Sequence, residues 1–251
     1  MNIQVKKGVL ELRTWKTNVL YFIPKVDHGH QFKFAIFTHG YTAHKGDLVN
    51  WGHRMALSGL HCAIFDLPGH YLGSFNEVES FEEFRDHSPQ LFYESTKKLC
   101  QICGIERPSK LVLGGHSLGG LLAITAMMLP EFAGLDIFGI AVGTGLQIKN
   151  PFFETTLKMR SQLTSPTLKP ENIIPWFNDR ADKINTKNQI IHLISGMDDL
   201  VTGENGPVLL KELLEKLGNT VTLFQRKNLP HHQPELASPF IYSFLKKSGV
   251  I

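Results

Sequence analysis

The most constraining stretch of the chain is Leu113-Gly114-Gly115-His116-Ser117-Leu118-Gly119-Gly120. It contains the pattern G-x-S-x-G and sits between an apolar run at 110–113 and a second at 118–128. Strand, very tight turn and helix is the economical reading. Such a turn strains the backbone of its central residue. Side chains two residues to either side would collide, so positions 115 and 119 require glycine. The Ser117 hydroxyl is then pushed out above a sheet, at a helix N-terminus whose N–H groups favour a developing negative charge. Ser117 is therefore a candidate nucleophile, and the amide of Leu118 a candidate donor to an oxyanion.

The rest of the chain supplies the sheet. Apolar runs at Lys33–Thr38, His61–Phe65, 110–113, Ile137–Val142, 189–194 and 221–225 have the composition of strands covered on both faces. Two earlier runs, 9–15 and 19–23, read as an antiparallel hairpin turning at Lys16-Thr17-Asn18. Helical patterns lie between strands at 47–57, 88–103, 118–128, 207–217 and 239–247. Alternating strand and helix predicts a parallel α/β sheet with helices on both faces. Residues 147–188 break the rhythm, carrying Pro151, Pro166, Pro170 and Pro175, and read as a small helical insertion within a single domain spanning 1–251.

Composition removes several alternatives. The net charge is +3 without a block of like charges, which disfavours a nucleic-acid surface. No apolar run approaches the length of a bilayer span, and no signal-peptide core follows Met1, so a cytoplasmic chain without stable membrane insertion is expected. Cys62, Cys100 and Cys103 read as reduced structural thiols, because the C-x-x-C pair lacks a second ligand pair and falls late in a helical stretch. No G-x-G-x-x-G follows a first strand, so no cofactor is expected. His28, His30, His44, His53, His61, His87 and His192 show no metal-ligand spacing, and no metal is expected.

Further segments match in order. These are Thr38-His39-Gly40-Tyr41, Phe65-Asp66-Leu67-Pro68-Gly69-His70, Gly196-Met197-Asp198-Asp199 and Leu229-Pro230-His231-His232-Gln233-Pro234. With the serine turn, they make the chain resemble the α/β-hydrolase family over nearly its whole length, closest to small esterases, lysophospholipases and monoacylglycerol lipases. The resemblance implies the α/β-hydrolase fold: a mostly parallel eight-stranded sheet, helices on both faces, and a small helical cap at 147–188.

A serine hydroxyl needs a base, and the base a carboxylate, in the chain order Ser, acid, His. The family places its acid three residues after the turn glycine, which favours Asp199 over Asp198. Its Gly-His-x-Pro pattern favours His232 over His231, with His231 standing where glycine is usual. The second oxyanion donor is, by resemblance, the amide of Tyr41, with Gly40 allowing close approach. His39 and His70 are read as fixing loops near the site, and His116 as lining the pocket or packing. The function implied is a serine hydrolase cleaving a carboxylic ester through Ser117, Asp199 and His232. The candidate substrate is a small-molecule acyl ester such as a lysophospholipid or monoacylglycerol. Phe152, Phe153, Ile173, Ile174, Trp176 and Phe177 would either line an acyl site or hold the cap to the sheet, and Lys158 and Arg160 would meet an anionic head group or solvent. An acyltransferase using the same acyl-enzyme, and a non-catalytic binding protein of the same fold, remain the alternatives.

Overall fold

In the computed structural model, residues 2–25, 31–146, 151–179 and 184–251 are described, with the backbone alone for 151–154 and 179. Among them, eight strands form one sheet: β1 (Ile3–Leu12), β2 (Trp15–Pro24), β3 (Lys33–Thr38), β4 (His61–Phe65), β5 (Lys110–His116), β6 (Ile137–Val142), β7 (Ile190–Gly196) and β8 (Thr220–Arg226). Their order is β1-β2-β4-β3-β5-β6-β7-β8. β1 and β2 pair antiparallel, as do β2 and β4, and every pair from β4 through β3 to β8 is parallel.

The hairpin turns earlier than the sequence pattern predicts. Leu12 pairs with Trp15, so the turn is Arg13-Thr14, with Arg13 at φ 55°. Lys16-Thr17-Asn18 is polar but alternates in and out. Trp15, Thr17 and Val19 are buried while Lys16 and Asn18 are exposed, so the stretch continues β2.

The helices are α1 (Val49–Leu57), α2 (Phe81–His87), α3 (Gln90–Cys103), α4 (Leu118–Ala126), α5 (Pro151–Arg160), α6 (Pro170–Asp179), α7 (Asn205–Lys216) and α8 (Ser238–Lys247). α3 stops at Gly104, in the left-handed region at φ 66°, as its sequence predicts. α2 is an addition to the predicted set. Ser80 caps it by accepting from the Glu83 amide at 3.0 Å. Cys100 is buried and Cys103 half-buried in the last turn of α3, and both are free thiols, as is buried Cys62. Among the described residues no helix is long and apolar enough to cross a membrane.

Strand periodicity divides the core in two. Phe34 and Ile36 of β3, Ala63 and Phe65 of β4, and Leu111 and Leu113 of β5 face α3 and α4 in one cluster. The intervening Ala35, Phe37, Cys62, Ile64 and Val112 face Trp51 and Met55 of α1 and Ile241 and Leu245 of α8 in the other. Each such fully buried large side chain contributes about 1.5–3 kcal/mol. The two-sided apolar character of these runs is the reason they are strands and the reason both faces are covered.

Between β6 and β7 the chain forms α5 and α6, joined by short 3-10 turns at Ser161–Leu163 and Pro166–Leu168. This segment lies against the loop that follows β4. The Tyr71 amide donates to Leu163 O at 2.8 Å, the Ser165 amide to Gly69 O at 2.7 Å, and the Thr167 hydroxyl to Val78 O at 2.9 Å. Ile173, Trp176 and Phe177 are buried in the main core, with Trp176 edge-on to Phe81. Residues 147–150 and 180–183 of the expected 147–188 insertion, the side chains of Phe152 and Phe153, and His28 and His30 lie outside the described residues.

Candidate active site

Ser117 stands at the junction of β5 and α4 with φ 49° and ψ −111°. A non-glycine residue in such a conformation costs about 1–3 kcal/mol and persists only where its surroundings hold it. Here the Ser117 amide donates to Val142 O at 2.7 Å, while Ser117 O accepts from the Thr144 hydroxyl at 3.0 Å and from the amides of Gly120 and Leu121. The flanking glycines are sterically required. A Cβ on Gly115 would strike the backbone of Gly119, and one on Gly119 would strike the carbonyls of Thr38 and His39. Among the described residues Ser117 Oγ has no hydrogen-bond partner.

Beyond the C-terminal end of β7 the chain turns, and Asp199 is brought inward at 3% exposure while Asp198 is left exposed. Asp199 Oδ1 accepts from the amides of Val201 at 2.8 Å and Thr202 at 3.2 Å. Its Oδ2 accepts from His231 Nδ1 at 2.8 Å. Burial works to raise the Asp199 carboxyl, but the His231 imidazole and the two amides outweigh it and hold the group below its ordinary value. Asp198 Oδ2 instead takes the Asn228 amide at 3.2 Å.

The resemblance points to His232 as the base, but the structure brings His231, not His232, to the carboxylate. Residues 230–233 form a turn closed by the Gln233 amide on Pro230 O at 3.1 Å. His231 faces inward from it, while His232 and Gln233 occupy its exposed apex. The proline used for alignment, Pro234, is fixed separately, its carbonyl accepting from Trp51 Nε1 at 2.7 Å. Spacing to Pro234 therefore does not determine which way the turn faces.

His116, the residue before the serine, packs against His231 with ring centroids 4.7 Å apart. Burial, reinforced by the neighbouring His231, holds its basicity well below the ordinary histidine value. Gly40 lies against His116 and Ser117, since a Cβ there would fall 2.7 Å from His116 Nδ1 and 3.3 Å from the Ser117 Cβ. Among the described residues, the amides of Tyr41 and of Leu118, at the first position of α4, have no hydrogen-bond acceptor. The Tyr41 side chain runs the other way, its hydroxyl donating to Leu168 O at 2.5 Å, and burial raises it to about 12.

Ser117, His116, His231, His232, Tyr41 and Arg160 are among the residues that line one cavity of about 90 Å³. Arg160 of α5 reaches Thr42 O at 3.4 Å. A larger hollow of about 580 Å³ between α1 and α8 contains none of these residues. Among the described residues no group of three or more His, Cys, Asp or Glu is placed to hold a metal ion. Asp66, which the sequence places only in the segment after β4, proves to be a polar anchor: fully buried, it accepts from the amide of Lys45 at 2.7 Å and from its Nζ at 2.5 Å, fixing the loop after β3. A lone Asp-Lys pair 21 residues apart carries no sequence signal for such a contact.

The fold is similar to that of an esterase from Pyrococcus furiosus (TM-score 0.68, 16% identity, covering 98% of this chain and 90% of that one). It is also similar to a bromoperoxidase from Bacillus anthracis (TM-score 0.64, 14% identity, 96% and 100%). An acylaminoacyl peptidase from Pyrococcus horikoshii matches with TM-score 0.63 and 13% identity, and there 98% of this chain spans 42% of the larger protein. Among curated proteins no sequence matches the chain. The sequence model of the alpha/beta hydrolase family matches residues 35–225, from within β3 to within β8, including Ser117 and Asp199. Over half of the chain is covered by that match, and the protein belongs to the alpha/beta hydrolase family.

Proposed function

We propose that the protein is a serine hydrolase cleaving a carboxylic ester, with Ser117 as nucleophile, His231 as base and Asp199 as the group that orients it. The observation that carries this reading is the 2.8 Å contact of His231 Nδ1 with Asp199 Oδ2, beside a serine held in strained backbone geometry in the same cavity. The carboxylate accepts only, so Nδ1 carries the hydrogen and Nε2 is left bare to take the proton of Ser117 Oγ. Attack on the acyl carbon moves charge onto the former carbonyl oxygen, which the free amides of Leu118 and Tyr41 stabilise. His231 then protonates the leaving alcohol, and the same imidazole activates water to release the acid. Asp199 remains ionised throughout, in keeping with its lowered carboxyl.

The segment between β6 and β7 acts as a cap over this site. Its aromatic residues Trp176 and Phe177 serve to hold it on the core. The cavity's volume of about 90 Å³ suits a short acyl group better than the long chain of a lysophospholipid or monoacylglycerol. An esterase among the similar structures agrees with an ester as the substrate.

Labelling with a fluorophosphonate probe tests the reading. The native protein is expected to be labelled and Ser117→Ala to remain unlabelled. A folded native protein that resists the probe, or a Ser117→Ala variant labelled as well as native, would overturn it.

A further inference from the structure

The His39 side chain is fully buried at the end of β3, directly before Gly40. Its Nδ1 lies 2.8 Å from Gly40 O, and its Nε2 receives the Leu67 amide at 2.9 Å. A carbonyl only accepts, so Nδ1 bears the hydrogen; an amide N–H only donates, so Nε2 is bare. Both nitrogens are committed and the ring is neutral. Asp66 Oδ1 is 3.8 Å from Nε2, yet that carboxylate is occupied by Lys45. Burial lowers the His39 imidazole to about 3 against the opposing effect of the Gly40 contact, which agrees with a permanently neutral ring.

We infer that His39 is a positioning residue for the oxyanion site: by holding the Gly40 carbonyl it fixes the plane of the Gly40–Tyr41 peptide and thereby aims the Tyr41 amide. The inference rests on the donor role proposed above for that amide. The peptide is trans, and in a trans peptide the C=O and the following N–H point in opposite directions. A carbonyl drawn back onto a buried imidazole sends the amide outward, toward the cavity that Tyr41 and Ser117 line. The Ala43 amide also donates to Gly40 O, at 3.2 Å, so the carbonyl is held from two sides. On its other nitrogen His39 is tied to Leu67 in the turn after β4, the same turn from which Asp66 grips Lys45. The oxyanion loop is thus referenced to the ends of two neighbouring strands. A donor works only when aimed at the position the oxygen will occupy, so rotation of this one peptide costs turnover without removing any group.

Two substitutions separate the halves of the clamp. In His39→Asn the side-chain amide nitrogen stands near the former Nδ1 and still donates to Gly40 O, while the link to Leu67 is given up. In His39→Gln the side-chain oxygen reaches the former Nε2 position and still accepts from Leu67, while the Gly40 carbonyl is released. Both variants are expected to lose thermal stability. Only His39→Gln is expected to lose turnover of p-nitrophenyl butyrate, at least about tenfold in kcat with KM within about twofold, and His39→Asn to recover most of it. The NMR signals of the Gly40 carbonyl carbon and the Tyr41 amide should shift in His39→Gln and stay near native in His39→Asn. Equal losses of kcat in the two variants that track their stability would overturn the proposal, as would a His39→Gln protein with native kcat and an unshifted Gly40 carbonyl. Should the native protein resist the fluorophosphonate probe, the hydrolase reading fails by itself, and the Gly40 and Tyr41 signals still decide whether His39 sets this peptide.

Discussion

His231 Nδ1 donates to Asp199 Oδ2 over 2.8 Å, while His232, one residue along, is exposed at the apex of the same turn. The two imidazoles should therefore differ sharply under substitution. His231→Gln is expected to lower kcat by about 10⁴-fold or more, and His232→Gln by less than about tenfold. Steady-state hydrolysis of p-nitrophenyl butyrate by the two purified variants checks this. Comparable losses in both would contradict the assignment of the base.

Replacement of the carboxylate gives a sharper test of orientation. In Asp199→Asn the side-chain amide can offer N–H groups to Nδ1 and favour the wrong tautomer, so kcat should fall about 10⁴-fold even though the shape is kept. Asp198→Asn keeps an oxygen that can accept from the Asn228 amide, removes only an exposed charge, and should stay within about threefold of native. The order of these two effects, measured on the same substrate, distinguishes the adjacent acids.

Stability should fall as the solution is acidified below pH 6.5. His39 and His70 are fully buried, and burial lowers each to about 3 from an unfolded value of 6.5. Between these values the unfolded chain binds a proton at each site that the folded protein does not, so stability rises with pH across the window. The slope is about 1.4 kcal/mol per pH unit for each imidazole. Asp199 acts in the same direction at lower pH, because its depressed carboxyl stabilises the fold above the ordinary carboxylate range and that contribution is lost as pH falls through the folded value. Urea unfolding at pH 7, 6 and 5 measures the slope. His70→Phe, which removes a ring whose Nε2 has no partner among the described residues, should reduce the slope by one histidine's share, and an unchanged slope would remove His70 from the account.

The serine turn tolerates no added carbon. Gly119→Ala would drive a methyl into the carbonyls of Thr38 and His39, which are backbone and cannot rotate aside. A loss of about 3 kcal/mol or more is expected, together with loss of probe labelling at Ser117. Gly104→Ala is the contrasting case: nothing lies within 4 Å of the added carbon, and only the left-handed φ of 66° opposes it. It should cost about 1–2 kcal/mol and leave labelling intact.

Acyl length offers a direct reading of the cavity. With about 90 Å³ beside Ser117, p-nitrophenyl acetate and butyrate should be turned over with higher kcat/KM than the laurate or palmitate. A steady rise with chain length would show instead that the cap opens onto a longer channel.

Much of this architecture is legible in the sequence because it is periodic or sterically forced. The runs that became β3 to β7 are short and apolar on both alternations, the pattern of a doubly covered strand. Gly115 and Gly119 are forced by backbone contact, so the strained turn at Ser117 could be placed from the chain alone. What escaped lies in turns, where no period applies. The hairpin reverses on Arg13, a residue that advertises no turn, and the polar triplet beyond it stays in the strand. α2 was signalled only by Ser80 and Glu83 as a capping pair, in a segment too short for a clear apolar period. The choice between His231 and His232 depended on which side of a four-residue turn faces the sheet, a property expressed in long-range contacts such as His231 Nδ1 with Asp199 Oδ2 and not in local spacing. The contact of Asp66 with Lys45 was likewise invisible, because an ion pair between a buried carboxylate and a half-buried lysine is defined in space and not by spacing.

Residue 41 divides its labour between main chain and side chain. On the reading proposed above its amide serves the oxyanion, while its phenol reaches Leu168 in the segment between β6 and β7. Any amino acid except proline supplies the amide, so the reaction places almost no demand on the identity of this residue. The phenol is then free to be exchanged, and with it the strength of the attachment between the loop after β3 and the segment between β6 and β7. Under the proposed function, position 41 is consequently a place where substrate entry would be retuned by a single codon change while the chemistry beneath it is inherited intact.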